Sequence, residues 1–236
     1  MRRSALGFIA GLTMLGWVAS VSAASQVDLF NAGARTESVQ AGGVGVQDLK
    51  RGVLYGASTF PLKIAVRPSD ALWRGGQTQA RTYRFVVLQH RFVRNAQGKI
   101  SVWGGGEMEI ETATGKTGTV AQTISHLLAT PKIDAQAPVS THVAGFKGEQ
   151  FDATVTGAEP GEGGEAFVPF SGSPQPGGDH VYVKKGTKLR IIAVAARGKT
   201  VVIFEQPAEG GPAKGFTGFV TAATNLLRTM VLGTKT

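Results

Sequence analysis

Two Gly-Lys-Thr triplets, three alternating glutamates, four histidines and a cluster of four arginines are the residues of this chain whose types and spacing could do chemistry. The triplets are Gly115-Lys116-Thr117 and Gly198-Lys199-Thr200. A phosphate-binding loop also needs a glycine five positions before the glycine of the triplet. Ile110 and Ala193 stand there instead, so both triplets read as turns. Glu107, Glu109 and Glu111 alternate with Met108 and Ile110, which puts three carboxylates on one face of a strand. Such neighbours lie about 6.5–7 Å apart, too far for one strand to chelate a single cation alone. A solvated strand face is the simpler reading. His90, His126, His142 and His180 make no metal-type spacing with one another or with a nearby acid. The chain has no cysteine and no Gly-x-Ser-x-Gly elbow, so no nucleophile announces itself. Arg81, Arg84, Arg91 and Arg94, with Trp103 close in sequence, could receive an anionic ligand. Arginines at a sheet edge also deter strand-to-strand aggregation, which is the structural alternative. These five are the candidate binding residues. No catalytic residue, metal ligand or cofactor is assigned. Trp73, Tyr83 and Trp103 could line a groove, although packing in a sheet is the plainer role for them.

The elements that must position these residues follow from periodicity. Residues 61–66 alternate and stop before Pro68, as a strand would. Residues 83–94 form a longer strand whose middle, Phe85 to Leu88, is apolar on both faces. A turn at 95–98 sends 99–103 back antiparallel. If Arg94 pairs with Lys99, Glu109 falls opposite Arg84, unless the glycine run 104–106 slips the register by a bulge. That run also fits a close backbone approach. The helix predicted over 119–129 has Thr119 and Gln122 in capping-box spacing and a stripe of Val120, Ile124, Leu127 and Leu128, and it ends at Pro131. Residues 150–155 alternate with Phe151, Ala153 and Val155 on one side. The short run 166–170 lies between glycine- and proline-rich loops. Strands are expected at 181–183, 188–194 and 200–204, joined by tight turns at Lys185-Gly186 and Arg197-Gly198. A closing helix over 216–230 carries Phe216, Phe219, Val220, Ala223, Leu226, Leu227 and Met230 as its apolar stripe.

The amino terminus reads as an address. Arg2 and Arg3 precede an apolar run with Leu6, Phe8, Ile9, Leu12, Leu15 and Trp17, and Val21-Ser22-Ala23 closes it with small residues. That is the pattern of a cleavable secretory signal over 1–24, with twin-arginine export as a variant. An uncleaved anchor is the alternative; Gly7, Gly11 and Gly16 and the cleavage-type ending weigh against it. Residues 25–58 are rich in Ala, Gly, Ser and Gln and read as a flexible spacer, with one short strand near 53–55. A single domain is expected over 59–232. Cleavage after Ala24 removes two arginines and no acid, so the formal charge falls from +9 to +7. Spread over the surface, that charge maintains solubility. Gathered, it would favour an anionic envelope polymer, a lipid head group or an envelope protein; nucleic acid is disfavoured for an exported chain.

Strands, one central helix, more strands and a terminal helix give an α+β class, an antiparallel sheet with two packed helices. The terminal block resembles the PsbP-like fold, which includes plant oxygen-evolving-complex subunits and mycobacterial exported lipoproteins of the LpqN type. The matching features are the hairpin from Leu189 to Phe204 with its Arg197-Gly198-Lys199 turn, then Phe216-Thr217-Gly218-Phe219 and Asn225-Leu226-Leu227-Arg228. The chain also looks like a set of uncharacterised secreted proteins of high-GC Gram-positive bacteria, through Gly145-Phe146, Gln150-Phe151-Asp152 and Ala166-Phe167-Val168-Pro169-Phe170. The resemblance covers about 59–232, and its motifs are structural. It implies an accessory or binding role and carries over no catalytic residue. The lipidated cysteine of the lipoprotein members is missing. The expectation is therefore an exported, non-catalytic binding or interaction module, with a secreted hydrolase whose site is dispersed as the alternative.

Overall fold

Apolar side chains on both faces of two adjoining runs, 190–194 and 201–204, place those runs at the centre of a sheet that has a core on each side. The computed structural model describes residues 27–28, 46–77, 86–91, 93–94, 97, 100–102, 105–113, 118–157, 165–169, 180–207 and 214–233. In chain order, the strands before the first helix are β1 (Val27–Asp28), β2 (Gln47–Asp48), β3 (Tyr55–Ala57), β4 (Lys63–Val66), β5 (Trp73–Gln77), β6 (Val86–His90), β7 (Val93–Arg94), β8 (Ile100–Val102) and β9 (Gly106–Thr112). Helix α1 (Val120–Leu128) follows. Then come β10 (Ile133–Ala135), β11 (Val139–Val143), β12 (Phe146–Val155), β13 (Glu165–Pro169), β14 (His180–Lys184), β15 (Lys188–Ala196) and β16 (Lys199–Pro207). Helix α2 (Lys214–Leu227) and β17 (Val231–Gly233) complete the order.

The main sheet runs β10-β12-β15-β16-β9-β6-β5-β2, with β11 also paired to β12, and every pair in it is antiparallel. A second sheet runs β1-β3-β4-β17, in which β1 is parallel to β3. The class is thus mixed, mostly antiparallel sheet with two helices. The helices lie on opposite faces of the main sheet. Ile124 and Leu127 of α1 cluster with Phe151, Ile191, Ala193, Val202 and Phe204. Phe219, Ala223 and Leu226 of α2 cluster with Met108, Ile110, Ile192, Val194 and Ile203, and with Ile64 and Leu232 of the second sheet. Alternation along β15 and β16 sends successive side chains into one core and then the other.

Local chemistry explains the elements that match expectation. Thr119 caps α1: its hydroxyl accepts from the Gln122 amide at 3.2 Å, and the Gln122 side chain accepts from the Thr119 amide at 3.2 Å. At the β15–β16 turn, Arg197 and Gly198 take φ of 51° and 77°, the left-handed pair that a tight hairpin needs. Gly106 is a close approach: a Cβ there would run into the Phe219 ring and stand 2.6 Å from the Gln206 carbonyl.

Other expectations are corrected. Residues 46–58, read as spacer, belong to the fold: Val46, Leu49, Tyr55 and Ala57 are buried, and β2 extends the main sheet. The strand over 83–94 is broken after His90, and β7 pairs only with β8, in a separate ladder among the described residues. Arg94 pairs with Ile100 rather than Lys99, and Glu109 stands opposite Val87 rather than Arg84. The Lys185-Gly186 turn does not join ladder partners, because β14 pairs with β13 while the Gly186 amide donates to the Val155 carbonyl. The closing helix stops at Leu227, and the chain turns to add β17 beside β4. No helix of the described residues is long and apolar enough to cross a membrane. The signal segment 1–24 lies outside the described residues.

Candidate functional site

Register brings together charged groups that are far apart in sequence. On the α2 face, Asp152 of β12, Arg190 of β15, Glu205 of β16 and Met108 of β9 stand side by side in one row. Arg190 donates through Nε to Asp152 Oδ1 at 2.6 Å and through Nη2 to Oδ2 at 2.8 Å, a two-pronged fork. The hydrogen bonds that Arg190 donates to Asp152 hold its pKa above the usual value, against the loss of water on burial. Glu205 is fully buried, and neither of its carboxylate oxygens has a hydrogen-bond partner. Burial pushes its pKa up to about 8; Arg190 works against that rise and Asp152 adds to it. At neutral pH Glu205 is therefore mostly protonated.

The Asp152–Arg190 end of this row forms one wall of a cavity of about 260 Å³. Asp134, Lys188, Thr154 and the first turns of α2, through Phe216, Thr217 and Val220, line the rest. The lining balances two carboxylates against two cations around an apolar patch. The hydroxyls Thr154 and Thr217 have no histidine beside them among the lining residues, and both oxygens of Asp152 are held by Arg190. The arrangement can hold a small polar or amphiphilic group by hydrogen bonds and apolar contact.

The sequence-predicted site residues are only partly placed. Arg81, Arg84 and Trp103 lie outside the described residues, and Arg94 is described only in its backbone, on β7. Arg91 is exposed, and its Nη2 lies 3.1 Å from Asp48, which also faces Arg74 Nε at 3.3 Å. Asp48 thus sits between two arginines, and a second acid, Asp70, lies at the same end of the sheet beside His90. Of the five, Arg91 is the one whose side chain is described, and it does not line the cavity. Trp73 packs in the core, edge-on to His90 at 4.9 Å between ring centroids and tilted against Phe219.

The glutamate strip is not the solvated face expected of it. Gln89 donates to Glu107 at 2.7 Å and Gln206 donates to its other oxygen at 3.3 Å. Glu111 is 6 % exposed. Loss of water around Glu109, then the charges of Glu111 and Glu107, raise its pKa well above the ordinary carboxylate value. Among the described residues no group of three or more His, Cys, Asp or Glu could hold a metal ion. Of the histidines, His90 is buried 3.5 Å from Asp70, His126 is half-buried on α1 and His142 is exposed on β11; His180 is described only in its backbone. Of the two triplets, Gly198-Lys199-Thr200 is a turn entering β16, and Gly115-Lys116-Thr117 lies outside the described residues.

Sequence reasoning missed the cavity, whose residues come from three strands and a helix. One signal for Glu205 was present: it shares the alternation of Val201 and Ile203, so it was due to face the same core. Comparison of the chain with protein-family models, with curated proteins and with solved structures gives no match.

Proposed function

We propose that this protein is an exported, non-catalytic binding module whose ligand enters the cavity between α2 and the edge of the main sheet. The observation that carries the reading is the lining itself: paired charges and an apolar patch, with the Asp152 carboxylate occupied rather than poised as a base. Export is supported by the sequence pattern from Arg2 to Ala23. Arg91, exposed beside Asp48, offers a cation to an anionic envelope polymer or lipid head group. The PsbP-like resemblance supports the same role, since that fold serves mainly as an accessory or binding module.

The test is a thermal-shift screen of wall-polymer, glycan and phospholipid head-group fractions, using wild type and Thr217→Trp. Thr217 is exposed on the first turns of α2, so an indole there fills the cavity mouth while the core is left alone. A stabilising shift in wild type that is lost in the variant supports the reading. Turnover of a fraction component would favour the secreted hydrolase instead, and absence of any shift would count against a binding module.

A further inference from the structure

Arg190 has a carboxyl group on each side of it. Asp152 on β12 and Glu205 on β16 are its two direct cross-strand neighbours on one sheet face. Such neighbours have Cβ atoms about 4.5–5.5 Å apart, within reach of an arginine in either direction. The structure shows the fork on Asp152 and leaves both Glu205 oxygens buried without a donor. Asp152 and Arg190 are partly open to the cavity, with side-chain exposures of 31 % and 21 %. We propose that Arg190 is shared between these two carboxylates and that the proton on Glu205 decides which one it holds. When Glu205 ionises, Arg190 turns inward, Asp152 faces the cavity unpaired, and the cavity gains a preference for positively charged groups.

The surroundings of Glu205 favour such an exchange. From β15 it meets Arg190 and, through it, Asp152 on β12. From β9 it meets Met108, because the glutamates of that strand point to the other face. From α2 the described side chains on this face are Phe216, Phe219 and Val220, none of which titrates. The other cation on this face, Lys188, lies two residues along β15 opposite Thr154, whereas Arg190 is directly opposite Glu205 and is the one in register to receive it. A buried carboxylate without a partner is costly, so ionisation and the inward turn go together. With the proton in place, Asp152 is the charged acceptor that holds Arg190 among the described residues, and the fork stays shut. A bound cation works in reverse: it competes for Asp152, releases Arg190 toward Glu205 and expels the Glu205 proton. The change in ligand preference rests on the reading of the cavity as the binding site. The movement of Arg190 does not, and is measured separately.

Nuclear magnetic resonance on the full chain tests both parts. In wild type, the Glu205 side-chain carbon and the Arg190 guanidinium nitrogen should change together, with one midpoint near the raised Glu205 pKa of about 8. In Glu205→Gln, which keeps size and neutrality, the Arg190 signal should not move over that range. In Asp152→Asn, Arg190 is free to serve Glu205, and the Glu205 midpoint should fall by about one pH unit or more. An Arg190 signal that stays constant while Glu205 titrates would overturn the proposal, as would an unmoved Glu205 midpoint in Asp152→Asn. With butylammonium as probe, the Thr154 and Thr217 amides should shift above the midpoint and not below it. Equal shifts on both sides, or none, would overturn the proposed preference.

Discussion

Replacing Glu205 by glutamine should change how stability depends on pH, with a sign and size set by the buried row. The carboxyl has no hydrogen-bond donor and is raised from 4.5 to about 8 in the folded chain. In the unfolded chain it titrates near its ordinary value. A folded-state pKa above the unfolded one means that the native state holds the proton more tightly. The associated stability is complete below about pH 4.5 and is lost as pH rises through about 8. At 1.36 kcal/mol per unit, the displacement corresponds to about 5 kcal/mol. That figure is a ceiling, since an inward turn of Arg190 would return part of it. Glutamine cannot ionise and lacks this term. Urea unfolding of wild type and Glu205→Gln at matched pH values isolates the difference, because Glu109 and the other titrating groups are common to both. The two should be within about 1 kcal/mol at the acid end, where both side chains are neutral. The variant should become steadily more stable than wild type toward the alkaline end. A difference that does not change with pH would refute the reasoning, since it would mean that Glu205 is solvated or has found a donor.

Two further outcomes test how the helices are seated and capped. Gly106→Ala should cost about 1–3 kcal/mol in urea unfolding, because the new methyl meets the Phe219 ring and the Gln206 carbonyl at 2.6 Å; a neutral result would mean that α2 does not seat on β9 as described. Thr119→Ala should cost about 1 kcal/mol by loss of the capping box, and amide exchange should show fraying confined to the first turn of α1, whereas no change would show that the 3.2 Å cap contributes nothing.

Elements specified by neighbouring residues were legible in the sequence. Helix α1 announces itself through Thr119, Gln122 and its stripe, all within one short segment. The β15–β16 hairpin does so through two apolar runs and the Arg197-Gly198 turn. What escaped was whatever depends on partners distant in the chain. Strand β5 contains Gly75 and Gly76 and lacks a strand-like pattern, yet pairing with β6 and β2 buries Trp73 and Gln77. Strand β17 is three residues long, and its pairing with β4 makes it a strand. Glu107, Glu109 and Glu111 were rightly placed on one face by alternation. Charge alone suggested that the face was wet, whereas Gln89 and Gln206 from flanking strands partner Glu107 and Glu111 is buried. The cavity was the least legible part, because Asp152 and Arg190 meet only once the β12–β15 register is known. Arginine clustering in sequence pointed to Arg91, which the fold places beside Asp48 and Arg74.

The cavity beside α2 is the proposed place where a ligand is held. The most direct test is amide-shift mapping of the labelled protein against the same wall-polymer and phospholipid fractions. Perturbations should gather at Asp134, Asp152, Thr154, Lys188, Arg190 and Thr217, with α1 undisturbed. Perturbations centred on α1 or on β11, with the cavity residues silent, would contradict it.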